Sequence, residues 1–450
     1  MLRTLFVLAI LIPGVTAAVW SRFAALQLYL WFAFFRPQEW MWWDVSAWRP
    51  SLLLGLLLVI PCLVTGVLPN VSHPISLGAL AFLVVSCVSQ FNSIAPDHSS
   101  YWLEYLFRLL LVCLLAISLI SDSRRFKLTL MVIGASFGFH SAKAGLASLL
   151  GGGLRYGAGL AGAFVDNNGY AVGMAMLIPL LVVTAQTATN RWVRVGFLVA
   201  VPLTALAVVS TFSRGGFLAL VAAGVTLAVL ERRRFWALAV ILALAVPIAW
   251  FMSTQNAYVT RVETIQTYRD IGETSALSRL HFWRVAVDMA IDRPLGVGLF
   301  NYEAAYDRYD FLFGSFGSRR SVHSSHFQVL AETGFLGAAI YAGLLGYAYL
   351  CAFRIRRRGS NPDIPRADAR LFVASGNALI ASMTAFVVGG SFIAIALNDL
   401  TWILLACIAS IDRISAQTIS EAATETALAS AAQPPELEWP MQPASDTTAW

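Results

Sequence analysis

Long apolar runs separated by short polar breaks dominate this chain. They fall near residues 4–35, 51–68, 75–91, 102–120, 128–150, 170–188, 195–212, 215–230, 236–252, 327–353, 371–393 and 396–412. A helix of about 20 apolar residues crosses a hydrocarbon core, so the pattern predicts an all-α, polytopic integral membrane protein with about 12 or 13 transmembrane helices. The first run carries Ser21-Arg22 at its middle, which fits either two short helices or one broken span. One interruption is far longer than the rest. Residues 253–326 are polar enough to leave the membrane and are expected to form a large loop with short helices. The apolar period ends near 412, and residues 413–450, rich in Ala, Thr, Ser and Pro, read as a disordered tail. The chain therefore divides into 1–120 and 121–252 (N-terminal and central membrane helices), 253–326 (an outer loop or lid), 327–412 (C-terminal membrane helices) and 413–450.

Composition sharpens this reading. The chain is 58% hydrophobic and only 12% charged, about half the charged fraction of a soluble domain. Its net charge of +6 does not point to nucleic acid, because the basic residues sit in short clusters between apolar runs. Those clusters are Arg124-Arg125-Phe126-Lys127, Arg191–Arg194, Arg232-Arg233-Arg234 and Arg354–Arg358. Two runs separate each cluster from the next, so all four face one side, which the positive-inside rule makes cytoplasmic. The 253–326 loop and Arg214 then face the periplasm, and the tail lies inside. A single broken span over 4–35 would keep Arg3 inside as well. The five cysteines lie within apolar runs without paired spacing, so neither a disulfide framework nor a metal knuckle is expected.

Few residues outside the basic clusters carry chemistry. Arg214 follows Ser210-Thr211-Phe212-Ser213 and precedes Gly215-Gly216, at a tight turn between two runs. A snorkelling arginine would need no partner there. On the outer face, though, an arginine is disfavoured unless used, and the glycines would let a large headgroup approach the backbone. Residues 277–289 have a helical pattern that puts Arg279 and Trp283 on one face. Arg284 points elsewhere, either to a ligand or to an i,i+4 ion pair with Asp288. His323 and His326 precede the run at 327, where Ser325 and Gln328 resemble a capping box. A metal site at His323-x-x-His326 lacks further ligands, so no metal and no cofactor are expected. Lys143 lies within an apolar run, where an ionisable group is expensive and faces either a polar cavity or the interface. The belt of Trp40, Trp42, Trp43 and Trp48 anchors the chain at headgroup level.

In order and spacing these pieces resemble the O-antigen ligase and polymerase superfamily of bacterial membrane glycosyltransferases. Within it they look most like the O-glycosylation ligases associated with exosortase systems. The resemblance rests on Phe212–Gly216, Thr264–Tyr268, Ser278–Trp283, Arg293-Pro294-Leu295-Gly296-Val297-Gly298 and His323–Phe335, with Lys143–Gly145 and Asp166-Asn167-Asn168 in support. Val322 stands where that branch usually has Ala, and His326 where Tyr is frequent. The resemblance implies transfer of a glycan from an undecaprenyl-diphosphate carrier to a hydroxyl acceptor on a lipid, protein or glycan, outside the inner membrane and without a metal. It implies diphosphate binding by Arg214 and Arg279, with His323 facing the acceptor hydroxyl. Lys143, Arg284 and His326 are further candidates for substrate contact. A polymerase using the same donor fits the same residues. A lipid-linked sugar transporter is the rival from another class, but no inverted repeat supports it.

Overall fold

The computed structural model describes residues 2–41, 48–151, 159–160, 164–231 and 269–432; for 269–276 and 429–432 it describes the backbone only. These residues form fourteen α-helices and no strand. In chain order the helices are α1 (Leu2–Trp20), α2 (Arg22–Phe35), α3 (Pro50–Val64), α4 (Pro74–Gln90), α5 (Pro96–Leu119), α6 (Ser123–Leu150) and α7 (Asn167–Thr187). They continue with α8 (Arg191–Ser210), α9 (Arg214–Leu230), α10 (Arg269–Asp292), α11 (Tyr302–Tyr309), α12 (Ser325–Arg358), α13 (Arg366–Gly390) and α14 (Asp399–Ala432). Seven of them (α1, α5, α7, α8, α12, α13 and α14) are long and apolar enough to cross a membrane; α3, α4 and α9 are shorter apolar helices. The chain is thus a multi-pass helical membrane protein. The expected run at 236–252, the cluster at 232–234 and the Thr264–Tyr268 segment lie outside the described residues.

Local chemistry sets the helix starts. Asp122, Asp166, Asn190 and Ser213 each accept a backbone N–H with the side chain, and proline opens α3, α4 and α5. At the centre stands α7, buried along nearly its whole length and packed against α6, α8, α9 and α13.

Two expectations are corrected. Residues 4–35 are not one broken span. Ser21 is extended and caps α2, and the chain folds back so that Phe6 lies 5.9 Å from Phe35 and Gly14 abuts Leu28. The two helices are antiparallel, and Arg3 comes to the end of the bundle that holds Trp40, 5.7 Å from its ring. The tail is not disordered from 413 either. Helix α14 continues to Ala432 because Ile414, Ser415 and Ala422 remain buried against the bundle and Arg358 binds the Asp412 carboxylate and the Ser415 hydroxyl.

The described basic clusters do share a face. Arg356 donates to the Leu230 carbonyl at the end of α9, and Ser123 at the start of α6 bonds Asp368 at the start of α13. Helices α6 and α8 run parallel, joined at their far ends by Ser148 and Ser210, so their basic N-termini lie together. On that face Asp412 is held by Arg358 (2.7 Å), Arg354 (3.5 Å) and His73 (3.2 Å).

At the opposite end, α10 and α11 build a small second core. Phe282, Val285, Ala286 and Met289, spaced i, i+3, i+4, i+7, bury one stripe of α10 against Tyr302 and Tyr306 of α11 and Val322. This layer locks onto α12 through the Arg293–Gly298 turn. Val297 N–H donates to the Ala331 carbonyl and Gly298 N–H to that of Glu332, at 3.0 and 3.2 Å. Helix α12 is kinked at Gly334 (φ 70°, ψ −172°), and a Cβ there would collide with the Pro294 carbonyl. Gly296 (φ 89°) meets the Glu332 carbonyl in the same way. Gly334→Ala is therefore expected to destabilise the protein by at least about 1–3 kcal/mol, the usual cost of a strained backbone position. Thermal unfolding of the purified protein in detergent measures this; an unchanged midpoint would mean that the kink tolerates a side chain.

Candidate functional site

Three helix ends and one loop meet beneath this outer layer. Arg214 is the first residue of α9. Phe212 before it is left-handed (φ 56°), and Ser213 caps the helix by accepting Gly216 N–H at 3.1 Å. The turn is pinned to α7, since the Asn167 amide donates to the Thr211 carbonyl at 3.1 Å. The two glycines do not serve headgroup access, as the sequence suggested. Gly216 lets α9 approach Ala171 of α7, where a Cβ would clash, and Gly215 abuts Phe392 in the α13–α14 linker.

The same Phe392 ring carries Arg279, whose guanidinium lies 5.7 Å from its centroid. Arg279 sits on α10 one turn before Trp283, which stacks on Phe327 of α12 with centroids 5.1 Å apart. The shared face expected for Arg279 and Trp283 is present. Burial and then the charge of Arg214 hold the Arg279 guanidinium below its ordinary pKa, so the two arginines stand close enough to repel. Among the described residues no carboxylate lies within ion-pair distance of either, whereas Arg36, Arg354 and Arg358 each have one.

His323 lies in the loop just before α12 in a left-handed conformation (φ 48°), half-buried, its ring 6.0 Å from that of Phe282. Burial depresses its pKa below the ordinary value. Arg279 and Arg320 lower it further, against a smaller opposing pull from Asp166. The imidazole is therefore neutral at physiological pH and available to accept a proton. The α12 start differs from the expected capping box. Ser324, one residue earlier, is the cap, while Ser325 bonds the Ile393 carbonyl and the Ile395 N–H, and Gln328 accepts Ala396 N–H.

The remaining candidates are not brought to this cluster. Arg284 pairs with Asp288 at 3.1 Å on the exposed side of α10. His326 donates to the Val387 carbonyl at 3.0 Å and packs on Phe386, an attachment of α12 to α13. Lys143 is exposed and stands 6.0 Å from the Trp40 ring. His323 and His326 thus have separate neighbours, which does not suit a shared metal. Among the described residues the one cluster with ligand-like spacing is His73, Cys351 and Asp412, on the basic face. A cation there would have to displace two guanidiniums from Asp412, and His73 Nδ1 already accepts Ile75 N–H. It is an ion network rather than a metal site.

Sequence reasoning missed Phe392 and Glu332. Phe392 offered no signal. Glu332 did, as a carboxylate within an apolar helix, four residues after Gln328. It is fully buried and accepts from the Gln328 amide at 3.4 Å and from the backbones of Phe300 and Tyr302, so it fastens the outer layer to α12.

The fold is that of a multi-pass helical membrane protein in which Arg214, Arg279 and His323 come near one another on the face opposite the described basic clusters. A family model described as O-antigen ligase matches residues 198–342, the stretch that contains Arg214, Arg279 and His323. A second, described as a family of unknown function (DUF5935), matches residues 2–189. No curated protein matches the chain. The ligase match supports a place in the O-antigen ligase superfamily and a membrane glycosyltransferase-type activity.

The charge on Arg279 makes a direct prediction. Arg279→Gln removes a cation that lowers the His323 pKa, so the His323 titration moves to higher pH, followed by NMR of histidine-labelled protein in detergent. A downward move or none would separate the two groups electrostatically.

Proposed function

We propose that the chain transfers a glycan from an undecaprenyl-diphosphate carrier to a hydroxyl acceptor on the periplasmic side of the bacterial inner membrane. The observation that carries this reading is the juxtaposition of Arg214 and Arg279, neither with a carboxylate partner among the described residues, with a half-buried His323. The arginines bind the donor diphosphate, whose charge relieves their mutual repulsion. As the C1–O bond of the sugar breaks, negative charge grows on the departing phosphate oxygen. Guanidinium contacts that strengthen with that charge lower the barrier. The acceptor oxygen attacks C1 from the opposite face and its proton passes to His323, so configuration inverts and the lipid diphosphate leaves. The acceptor's lone pair becomes the new C1–O bond and the pair of the broken C1–O bond leaves with the phosphate, so no oxidation state changes and no redox partner is needed. The residues that bind and activate come from the segment matched by the O-antigen ligase family. The orientation follows from the basic clusters gathered on the other face. A polymerase would use the same donor contacts, and the product distinguishes it: a ladder of chain lengths rather than one glycan on a fixed acceptor.

The test uses purified protein with a lipid-diphosphate-linked glycan. His323→Ala is expected to lower transfer by about 10²–10⁴-fold, the usual contribution of a positioned base. Arg214→Ala and Arg279→Ala are expected to lose transfer with the donor KM raised. Because a neutral base is required, wild-type activity falls as pH drops through the depressed His323 pKa, below the ordinary value near 6.5. Full activity in all three variants at wild-type protein levels would defeat the proposal.

A further inference from the structure

A cavity of about 790 Å³ is lined mostly by residues of the segment that the family of unknown function matches, and is completed by Phe300 and residues 393–403. It sits between α2, α3, α5 and the start of α14, and its walls are mostly aliphatic and aromatic. Along α5 it is lined from Tyr101 to Val112. At 1.5 Å per residue this is a depth of about 16 Å, the scale of an alkyl chain rather than of a sugar. Two properties of the cavity decide what it suits.

Its cations are paired: Arg108 lies 3.4 Å from Glu104. Arg36 lies 3.4 Å from Asp399, and the Tyr105 hydroxyl donates to the same carboxylate. Gln38, which lines this end, keeps an amide oxygen buried without a partner among the described residues. An end whose cations are paired, with a spare acceptor, suits a hydroxyl-bearing headgroup and is a poor match for a diphosphate. A diphosphate is attracted instead to Arg214 and Arg279, neither of which has a carboxylate partner among the described residues. The cavity also continues toward the reacting groups. Asp166 lines it and is the group whose charge reaches His323, while Ile393 and Ala394, beside Phe392, complete that end.

We infer that this cavity holds the alkyl chain of the acceptor, so that the acceptor is an amphiphile with an uncharged, hydroxyl-bearing headgroup presented to His323. The inference rests on the transfer reading above and narrows its acceptor to a lipid rather than a protein side chain or a free glycan. A soluble acceptor would have no use for an apolar recess of this depth, and burial of its chain gains affinity in proportion to length.

The experiment uses the full chain in nanodiscs, an undecaprenyl-diphosphate-linked glycan as donor, and alkyl β-glucosides from methyl to dodecyl as acceptors. In the wild type the acceptor KM is expected to fall by about tenfold or more from methyl to dodecyl. Gly55 lines the cavity wall on α3, and Gly55→Phe is expected to abolish that dependence on chain length. Leu52→Trp, at a second position on the same wall, serves if the first variant does not fold. No dependence on chain length in the wild type, or a rise in donor KM rather than acceptor KM in the variants, would overturn the inference, the latter by giving the cavity to the donor tail. A diazirine-bearing dodecyl glucoside provides a readout independent of turnover. Labelling should fall on α3 and α5 and be competed by dodecyl glucoside; competition by undecaprenyl diphosphate alone would sink it. Donor left intact with every acceptor, while the labelling holds, would count against the transfer reading and leave the cavity assignment standing.

Discussion

Two glycine backbones pressed against each other hold the outer half of this protein in place. A helix broken at membrane depth must satisfy the carbonyls that the break releases, because lipid offers no hydrogen bonds. The kink at Gly334 releases the carbonyls of Ala331 and Glu332, and the Arg293–Gly298 turn supplies Val297 and Gly298 N–H groups to take them. Ser89 adds a hydroxyl to the Glu332 carbonyl at 2.6 Å, which ties α4 to the same point. Neither glycine has room for a Cβ, so the fit is one of backbone against backbone. The motif Arg293-Pro-Leu-Gly-Val-Gly298 therefore acts as a structural clasp, and its distance from the reacting groups does not lessen its importance to them.

The clasp fixes α12, and α12 begins two residues after His323. The other side of the site is fixed by the α13–α14 linker. Ser325 and Gln328 bond its backbone between Ile393 and Ala396, and Phe392 lies between Gly215 of α9 and the guanidinium of Arg279. Arg214, Arg279 and His323 come from three separated stretches of chain, yet each is referred to this one linker. Small shifts in the linker would move all three together, which preserves their geometry better than three independent anchors would.

What the sequence allowed to be read follows from how local each determinant is. Charge clusters and apolar runs are local, and they yielded the helical membrane class and the shared face of the described basic clusters. The amphipathic stripe of α10 and the pairing of Arg284 with Asp288 are likewise written within a few residues. The antiparallel α1–α2 pair was not legible, because one extended residue, Ser21, reverses the chain without any Pro or Gly to announce it. The helical continuation past 412 was hidden for a related reason: an Ala- and Thr-rich segment has little apolar period of its own and is held by long-range contacts from Arg358. The turn glycines at 215 and 216 misled because the need for small residues came from Ala171 and Phe392, distant in sequence. Phe392 could not be found at all, since one phenylalanine among twenty-eight carries no signal.

The distribution of charge separates the regions by purpose. On the basic face, Asp412 gathers Arg354, Arg358 and His73 around one carboxylate, so each guanidinium there has an anionic partner. In the cavity, Arg36 and Asp399 cancel in the same manner. At the meeting of α9 and α10, by contrast, Arg214 and Arg279 are near enough for their charges to interact, and among the described residues no carboxylate lies within ion-pair distance of either. Holding like charges together in a partly buried place costs stability, and a carboxylate substitution would relieve it readily. A nearby aromatic ring supports Arg279 without cancelling its charge, which keeps the guanidinium oriented and still attractive to an anion. Such an arrangement has a physical rationale only if an anion arrives to complete it, and an anion with two adjacent phosphates matches two adjacent arginines.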